Sequence, residues 1–134
     1  MPGNFFDTNV LVYLASGDPA KAGKAEEIVA AGGVISVHVL NELANVARRK
    51  MRLSWDDTHR FLALVRGLLP VCANTAETHD SGLGIAERYR LSVYDGMIAA
   101  SALDADCDRL WSEDMQHGMI IENRLRISNP FRAS

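Results

Sequence analysis

The chain has 134 residues, of which 48% are hydrophobic and 23% are charged, with a formal net charge of −3 and a pI of about 5.7. These values are typical of one globular domain and exclude a broadly basic surface that attracts nucleic acid over its whole extent. No apolar run approaches the roughly 18 residues of a membrane span. Cys72 and Cys107 are far apart and lack zinc-binding spacing, so we expect reduced thiols and a cytoplasmic protein.

Short apolar runs alternate with amphipathic segments along the chain. In order, the sequence predicts strands at 4–6, 34–37, 70–73, 109–111 and 119–121, with 125–127 as a possible edge strand. Helical segments are predicted between them, at 8–14, 18–31, 37–51, 54–69, 74–89 and 92–105. Such alternation favours a parallel sheet. We therefore predict an α/β fold, a three-layer α/β/α sandwich with a short, mainly parallel central sheet, in one domain spanning residues 1–134.

Four acidic residues lie in or just after apolar runs: Asp7, Glu42, Asp95 and Asp114. Asp7 follows the first strand, Asp114 lies shortly after strand 109–111, and Glu42 lies about a turn and a half into the helix after the second strand. Because ligands of open parallel sheets sit beyond the carboxyl ends of the strands, we expect these three to gather at one edge. Asp95 opens a helix whose dipole favours an anion there.

Each acid also has a local interpretation that the sequence leaves open. Asp7 is placed to cap the following helix, and Asp95 stands at the third position of a capping box that begins at Ser92. Asp114 is compatible with an ordinary turn, and Glu113 competes with it. Glu42 shares an outward helix face with His38, Asn45 and Arg49, which is typical of a solvated glutamate.

A cluster of these four acids requires positive charge. Two carboxylates about 5 Å apart repel by about 3 kcal/mol at an effective dielectric near 20, which is roughly two pKa units. One or two Mg²⁺ or Mn²⁺ ions relieve this repulsion, because hard cations prefer carboxylate oxygens. The chemistry that fits such a site is hydrolysis of a phosphodiester.

Four segments of the sequence resemble motifs of the PIN-domain nucleases, and more narrowly of VapC-type toxins from bacterial toxin–antitoxin pairs. They are Phe6-Asp7-Thr8-Asn9-Val10-Leu11, Asn41-Glu42-Leu43, Val93-Tyr94-Asp95, and the segment from Leu110 to Gly118. The resemblance covers essentially the whole chain and implies a PIN-like fold. It also implies a metal-dependent endoribonuclease that forms a homodimer and is inhibited by a small antitoxin covering the active site.

The resemblance further assigns roles to individual residues. It implies that Asp7, Glu42, Asp95 and Asp114 are the catalytic and metal-binding residues. The family pattern of Thr or Ser, any residue, then Asp favours Asp114 over Glu113. It gives Ser112 a supporting role, which Thr8 and Asn9 share through hydrogen bonds. Gly96 departs from the more usual alanine, which predicts a loss of about 1 kcal/mol in helix stability.

The densest basic run, Arg48-Arg49-Lys50 with Arg52, has two interpretations. Cations at a helix end complement its dipole. Alternatively Arg49, on the predicted face of Glu42, contacts RNA phosphates, a contact that carries no sequence information. A non-catalytic PIN-like domain that binds RNA or protein remains the main alternative to a nuclease.

Overall fold

The computed structural model describes residues 3–132, and the outermost residues of the predicted domain lie outside this range. The strands are β1 (Asn4–Phe6), β2 (Ile35–Ser36), β3 (Val71–Cys72), β4 (Arg109–Trp111), β5 (Ile120–Ile121) and β6 (Leu125–Ser128). The helices are α1 (Thr8–Leu11), α2 (Pro19–Ala30), α3 (Val37–Arg49), α4 (Trp55–Leu68), α5 (Ala76–Tyr89) and α6 (Val93–Asp104), with a 3-10 turn (Val12–Ala15) after α1. No helix within residues 3–132 is long and apolar enough to cross a membrane.

The central sheet is mainly parallel, as the sequence predicted. Its four-stranded part has the order β1-β4-β6-β5, in which only β5 runs antiparallel to its neighbour. β2 pairs in parallel with β3, and a bridge between Phe5 and Val34 joins this pair to β1. The predicted α/β fold with a short, mainly parallel sheet is therefore confirmed.

The last strand lies inside the sheet, which corrects the prediction of an edge piece at 125–127. β6 pairs with β4 on one side and β5 on the other. Its residues alternate, with Leu125 and Ile127 fully buried and Arg126 exposed, which is the pattern of a strand with one face on the core. β5, which comes earlier in the chain, takes the edge position, and β6 lies between β5 and β4. Hydrophobic periodicity does not predict this order of strands.

A row of apolar side chains crosses the sheet and anchors the helices. Phe5, Leu110 and Ile127 are register neighbours on three parallel strands, and all three are fully buried. Helix α6 packs on β4 and β6 and is itself covered by α5. Burial of each such side chain contributes about 1.5–3 kcal/mol, so this row helps to hold β1, β4 and β6 in register.

Serine and threonine side chains cap several of the helices. Ser36, Ser54 and Ser92 each accept a hydrogen bond from the backbone of the third helical residue, and the early cap at Ser36 makes β2 shorter than predicted. For α5, the capping signal that the sequence places at Asn74, at the start of the predicted segment 74–89, is one residue early, because Thr75 caps the helix in a capping box with Thr78.

Gly96 is explained by close packing between α5 and α6. A Cβ added there would lie 2.4 Å from the carbonyl oxygen of Gly82 and 2.9 Å from Cβ of Ala86. A Cβ at Gly82 would in turn lie 3.0 Å from Cα of Met97. The expectation that glycine only weakens this helix is therefore incomplete, since the missing side chain is what allows the two helices to approach.

We predict that Gly96→Ala lowers the free energy of unfolding by at least about 1 kcal/mol, although alanine is the better helix former. The matched control is Gly23→Ala in α2, where an added Cβ meets nothing within 4 Å. That control is expected to gain about 0.5–1 kcal/mol. Urea unfolding of the two variants beside the wild type makes the comparison. Equal stabilisation of both variants would contradict the close helix contact.

Candidate active site

An open cavity of about 400 Å³ lies beyond the carboxyl ends of β1 and β4. Its walls come from the segment after β1, from α3, from the start of α6 and from the loop after β4. Five acidic residues line it: Asp7, Glu42, Asp95, Glu113 and Asp114. The structure thus brings the four predicted acids to one site, while their roles in catalysis and metal binding remain predictions.

Asp7 is the buried centre of this site, with 6% of its surface exposed. Its Oδ1 accepts a hydrogen bond from the backbone N–H of Thr8 at 2.7 Å, so Asp7 also caps α1. Its Oδ2 accepts hydrogen bonds from the hydroxyl of Ser112 at 2.9 Å and the side-chain amide of Asn9 at 3.3 Å. The residues that the sequence predicted as supporting are therefore placed in contact with the acids.

The environment of Asp7 favours its protonated form. Burial raises the pKa of Asp7 from 3.8 to about 6, and the charges of Glu42 and Asp95 add to this. Hydrogen bonds from Ser112 and Thr8 oppose the shift but do not cancel it. A carboxyl group that resists ionisation beside other carboxylates is one that a bound cation would stabilise in its charged form.

Glu42 lies on the cavity side of α3 and is not a freely solvated residue. Its Oε1 accepts a hydrogen bond from the hydroxyl of Thr8 at 3.2 Å and lies 3.3 Å from Nε2 of His38. The contact with His38 lowers the pKa of Glu42, with burial acting in the opposite direction. Thr8 therefore bridges two acids, donating its backbone N–H to Asp7 and its hydroxyl to Glu42.

Asp95 and Asp114 both line the cavity. Asp95 is half-buried in the first turn of α6, where its backbone N–H donates to the hydroxyl of Ser92 at 3.1 Å. Burial raises the pKa of Asp95, and the charges of Asp114 and Glu42 raise it further. Asp114 is exposed on the loop after β4. The helix cap therefore uses the backbone of Asp95, while its side chain lines the cavity.

Glu113 has partners of its own and is set apart from the other acids. One carboxylate oxygen accepts from Nζ of Lys21 at 2.6 Å, and the other accepts from the hydroxyl of Tyr13 at 2.8 Å. Its backbone N–H also donates to Oδ1 of Asn9 at 2.9 Å. The charge of Glu113 is thus balanced by an amine, and Asp114 stays the predicted fourth acid of the site.

The chemistry of the remaining acids fits a hard divalent cation. Their donor atoms are carboxylate oxygens, the ligands that Mg²⁺ and Mn²⁺ prefer. Within residues 3–132, no three histidine, cysteine or acidic side chains already stand close enough together to hold an ion. Binding therefore requires side-chain rotation, which the partial exposure of Glu42, Asp95 and Asp114 permits.

Lys50 and Tyr94 are among the lining residues to which the sequence assigned no individual role. Lys50 lines the cavity, whereas the predicted phosphate contact Arg49 is exposed and does not. Glu42, Val46 and Lys50 are spaced four residues apart along α3, and all three line the cavity. Only the tertiary contacts determine that this side of the helix faces the cavity. Tyr94 also lines the cavity, and its position directly before Asp95 was a usable signal.

Residues 5–118 match the family model described as the PIN domain, so the chain belongs to the PIN-domain family. A toxin–antitoxin complex from Klebsiella pneumoniae is similar with a TM-score of 0.74 and 18% identity, covering 97% of this chain and 99% of that one. The VapC20 toxin from Mycobacterium tuberculosis, described as cleaving the sarcin–ricin loop, has a TM-score of 0.62 and 19% identity, with 80% and 86% covered.

A DNA-bound VapBC complex from Salmonella typhimurium is also similar, with a TM-score of 0.66 and 22% identity over 97% of this chain and 99% of that one. At these identities the likeness establishes the fold. No curated protein matches the sequence.

Proposed function

We propose that the chain is a metal-dependent endoribonuclease that hydrolyses RNA phosphodiester bonds, and that it is the VapC-type toxin of a toxin–antitoxin pair. The observation that carries this proposal is the placement of Asp7, Glu42, Asp95 and Asp114 around one open cavity at the carboxyl edge of the sheet. Membership of the PIN-domain family supports it.

The surroundings of each acidic residue indicate its role in metal binding. One or two Mg²⁺ or Mn²⁺ ions, when bound, supply Lewis-acid activation of water and charge stabilisation at the phosphate. Asp7 is the fixed ligand, because Thr8, Asn9 and Ser112 hold both of its oxygens. The other three acids adjust around it. Lys50, on the cavity wall, offsets the phosphate charge on approach.

The proposed partners extend this function. The similar structures include toxin–antitoxin complexes from Klebsiella pneumoniae and Salmonella typhimurium. We propose by analogy that a small antitoxin covers the cavity of this chain and that the chain acts as a homodimer in the cytoplasm. The free thiols of Cys72 and Cys107 are consistent with a reducing compartment.

Incubation of the purified chain with total RNA tests the proposal. We expect endonucleolytic fragments with Mg²⁺ or Mn²⁺ and none with excess chelator, read by sequencing of RNA ends. If RNA binds the cavity but stays intact with either metal, the nuclease proposal is wrong. The chain would then be a non-catalytic PIN-like binding domain.

A further inference from the structure

We propose that Tyr94 stacks on an RNA base at the rim of the cavity and thereby positions single-stranded RNA, an inference that rests on the proposed function. Tyr94 lines the same cavity as the acids and directly precedes Asp95. It is nevertheless 66% exposed, the largest exposed fraction among the large hydrophobic side chains of residues 3–132. An exposed aromatic ring beside the acidic cavity provides a flat apolar surface on which a ligand with a flat ring can stack.

The orientation of the ring suits a base. Tyr94 stacks nearly parallel on the imidazole of His38, with ring centroids 5.7 Å apart and an angle of 8° between the planes. The backbone of His38 is held, because its N–H donates to the side-chain oxygen of Asn74 at 2.9 Å, and its buried Nε2 lies 3.3 Å from Oε1 of Glu42 without a hydrogen bond. One face of the Tyr94 ring thus packs on His38, and a base on the other face would extend the stack to three rings.

The five carboxylates of the cavity repel RNA and an acidic peptide alike, so the case for RNA rests on Lys50 and Tyr94 together and on the cation of the proposed function. Lys50 is the one basic side chain among the described residues that line it, on a wall formed by α3, whereas Tyr94 stands on α6. A nucleotide has a phosphate for Lys50 and a base for Tyr94. Base–aromatic stacking is worth enough to change affinity by about 5- to 100-fold per base and tolerates different bases.

The chain contains a matched control for this inference. Trp55 is also an exposed aromatic residue, at 60%, but it does not line the cavity. Its ring is covered by the guanidinium of Arg48, with Cζ 4.2 Å from the ring centroid. A general effect of removing exposed aromatic surface would appear at Trp55 as well as at Tyr94.

The test measures binding of two probes by fluorescence anisotropy with variants that all carry Asp95→Asn, so that the RNA is not cut. One probe is a labelled single-stranded RNA pool of about twelve nucleotides, and the other is an abasic sugar–phosphate oligomer of equal length. We expect Tyr94→Ala to weaken RNA binding about 5- to 100-fold while leaving the abasic oligomer unchanged. Tyr94→Phe and Trp55→Ala should bind RNA within about 3-fold of the parent, because both variants keep an aromatic ring at position 94.

Lys50→Ala supplies the opposite pattern. It should weaken both probes and lower the slope of log affinity against log salt by about 1, because a lost phosphate contact releases one fewer counterion. Tyr94→Ala should leave that slope unchanged. The two variants thus separate base stacking from phosphate contact within one set of titrations.

The remaining outcomes overturn the inference. Equal loss for both probes in Tyr94→Ala indicates a structural role, and no loss for either excludes stacking. A changed sedimentation mass in Tyr94→Ala places the residue in an interface between two copies. If the wild type with metal cleaves no RNA, the proposed function fails. If the wild type cleaves RNA but Tyr94→Ala binds both probes as tightly as its parent, only the stacking inference fails.

Discussion

Asp95→Asn is expected to lower metal-dependent RNA cleavage by at least about 100-fold while leaving the chain folded. Residues that only orient a metal ligand typically cost 10- to 100-fold when removed, so loss of a direct ligand should cost about 100-fold or more. Asparagine keeps the backbone N–H that donates to Ser92, so the start of α6 is preserved. Initial cleavage rates at saturating Mn²⁺, with far-ultraviolet circular dichroism of each variant, provide the measurement.

Two controls define what this loss means. Asp80→Asn removes an exposed carboxylate on α5 outside the cavity and should cleave at the wild-type rate. Asp114→Asn should match Asp95→Asn, whereas Glu113→Gln should stay within about 3-fold of the wild type, because Glu113 is held by Lys21 and Tyr13. Wild-type cleavage by Asp95→Asn, or a larger loss at Glu113 than at Asp114, would refute the proposed division of the acids.

Asp7→Asn is expected to stabilise the metal-free protein and inactivate it. Removing the buried charge relieves the burial cost and the repulsion by Glu42 and Asp95 that together raise the pKa of Asp7 to about 6. Asparagine keeps an oxygen for the backbone N–H of Thr8 but presents an amide toward Asn9, which reduces the gain. We expect the free energy of unfolding in excess chelator at pH 8 to rise by about 1–3 kcal/mol.

The pH dependence of this gain has a defined sign. The pKa of Asp7 is raised from 3.8 to about 6, so the folded state holds a proton there that the unfolded state has already lost. Wild-type stability attributable to Asp7 is therefore full below about pH 4, falls as pH rises toward 6, and is lost above. The advantage of Asp7→Asn should grow across this window and then level off. Urea unfolding at several pH values measures this difference in stability, and a pH-independent difference would contradict the raised pKa of Asp7.

The strand–helix order and the meeting of the acids were predictable because both follow from local patterns. Asp7 and Asp114 follow strands that are parallel neighbours, so their shared edge comes from topology alone. Glu42 was harder to place, since an outward helix face looks the same whether it meets solvent or a cleft. The contact with Thr8 is what distinguishes the two, and it joins residues 34 positions apart.

The features that the sequence missed depend on long-range contacts. Gly96 is required by the backbone of Gly82, on another helix, so helix propensity alone misjudges it. The prediction of Asp114 over Glu113 came from family resemblance, and the ion pair of Glu113 with Lys21, 92 positions away in sequence, supports it. Helical periodicity placed Arg49 with Glu42 but could not tell on which side of α3 the cavity lies.

Binding of Mn²⁺ tests the central claim that these carboxylates jointly capture a divalent cation. Electron paramagnetic resonance counts the free ion during titration of the wild type and of Asp7→Asn near neutral pH. We predict that the wild type binds one or two ions per chain and that Asp7→Asn binds none at the same concentrations. Equal binding by both chains, or RNA cleavage by a wild type that binds no ion, would contradict the account.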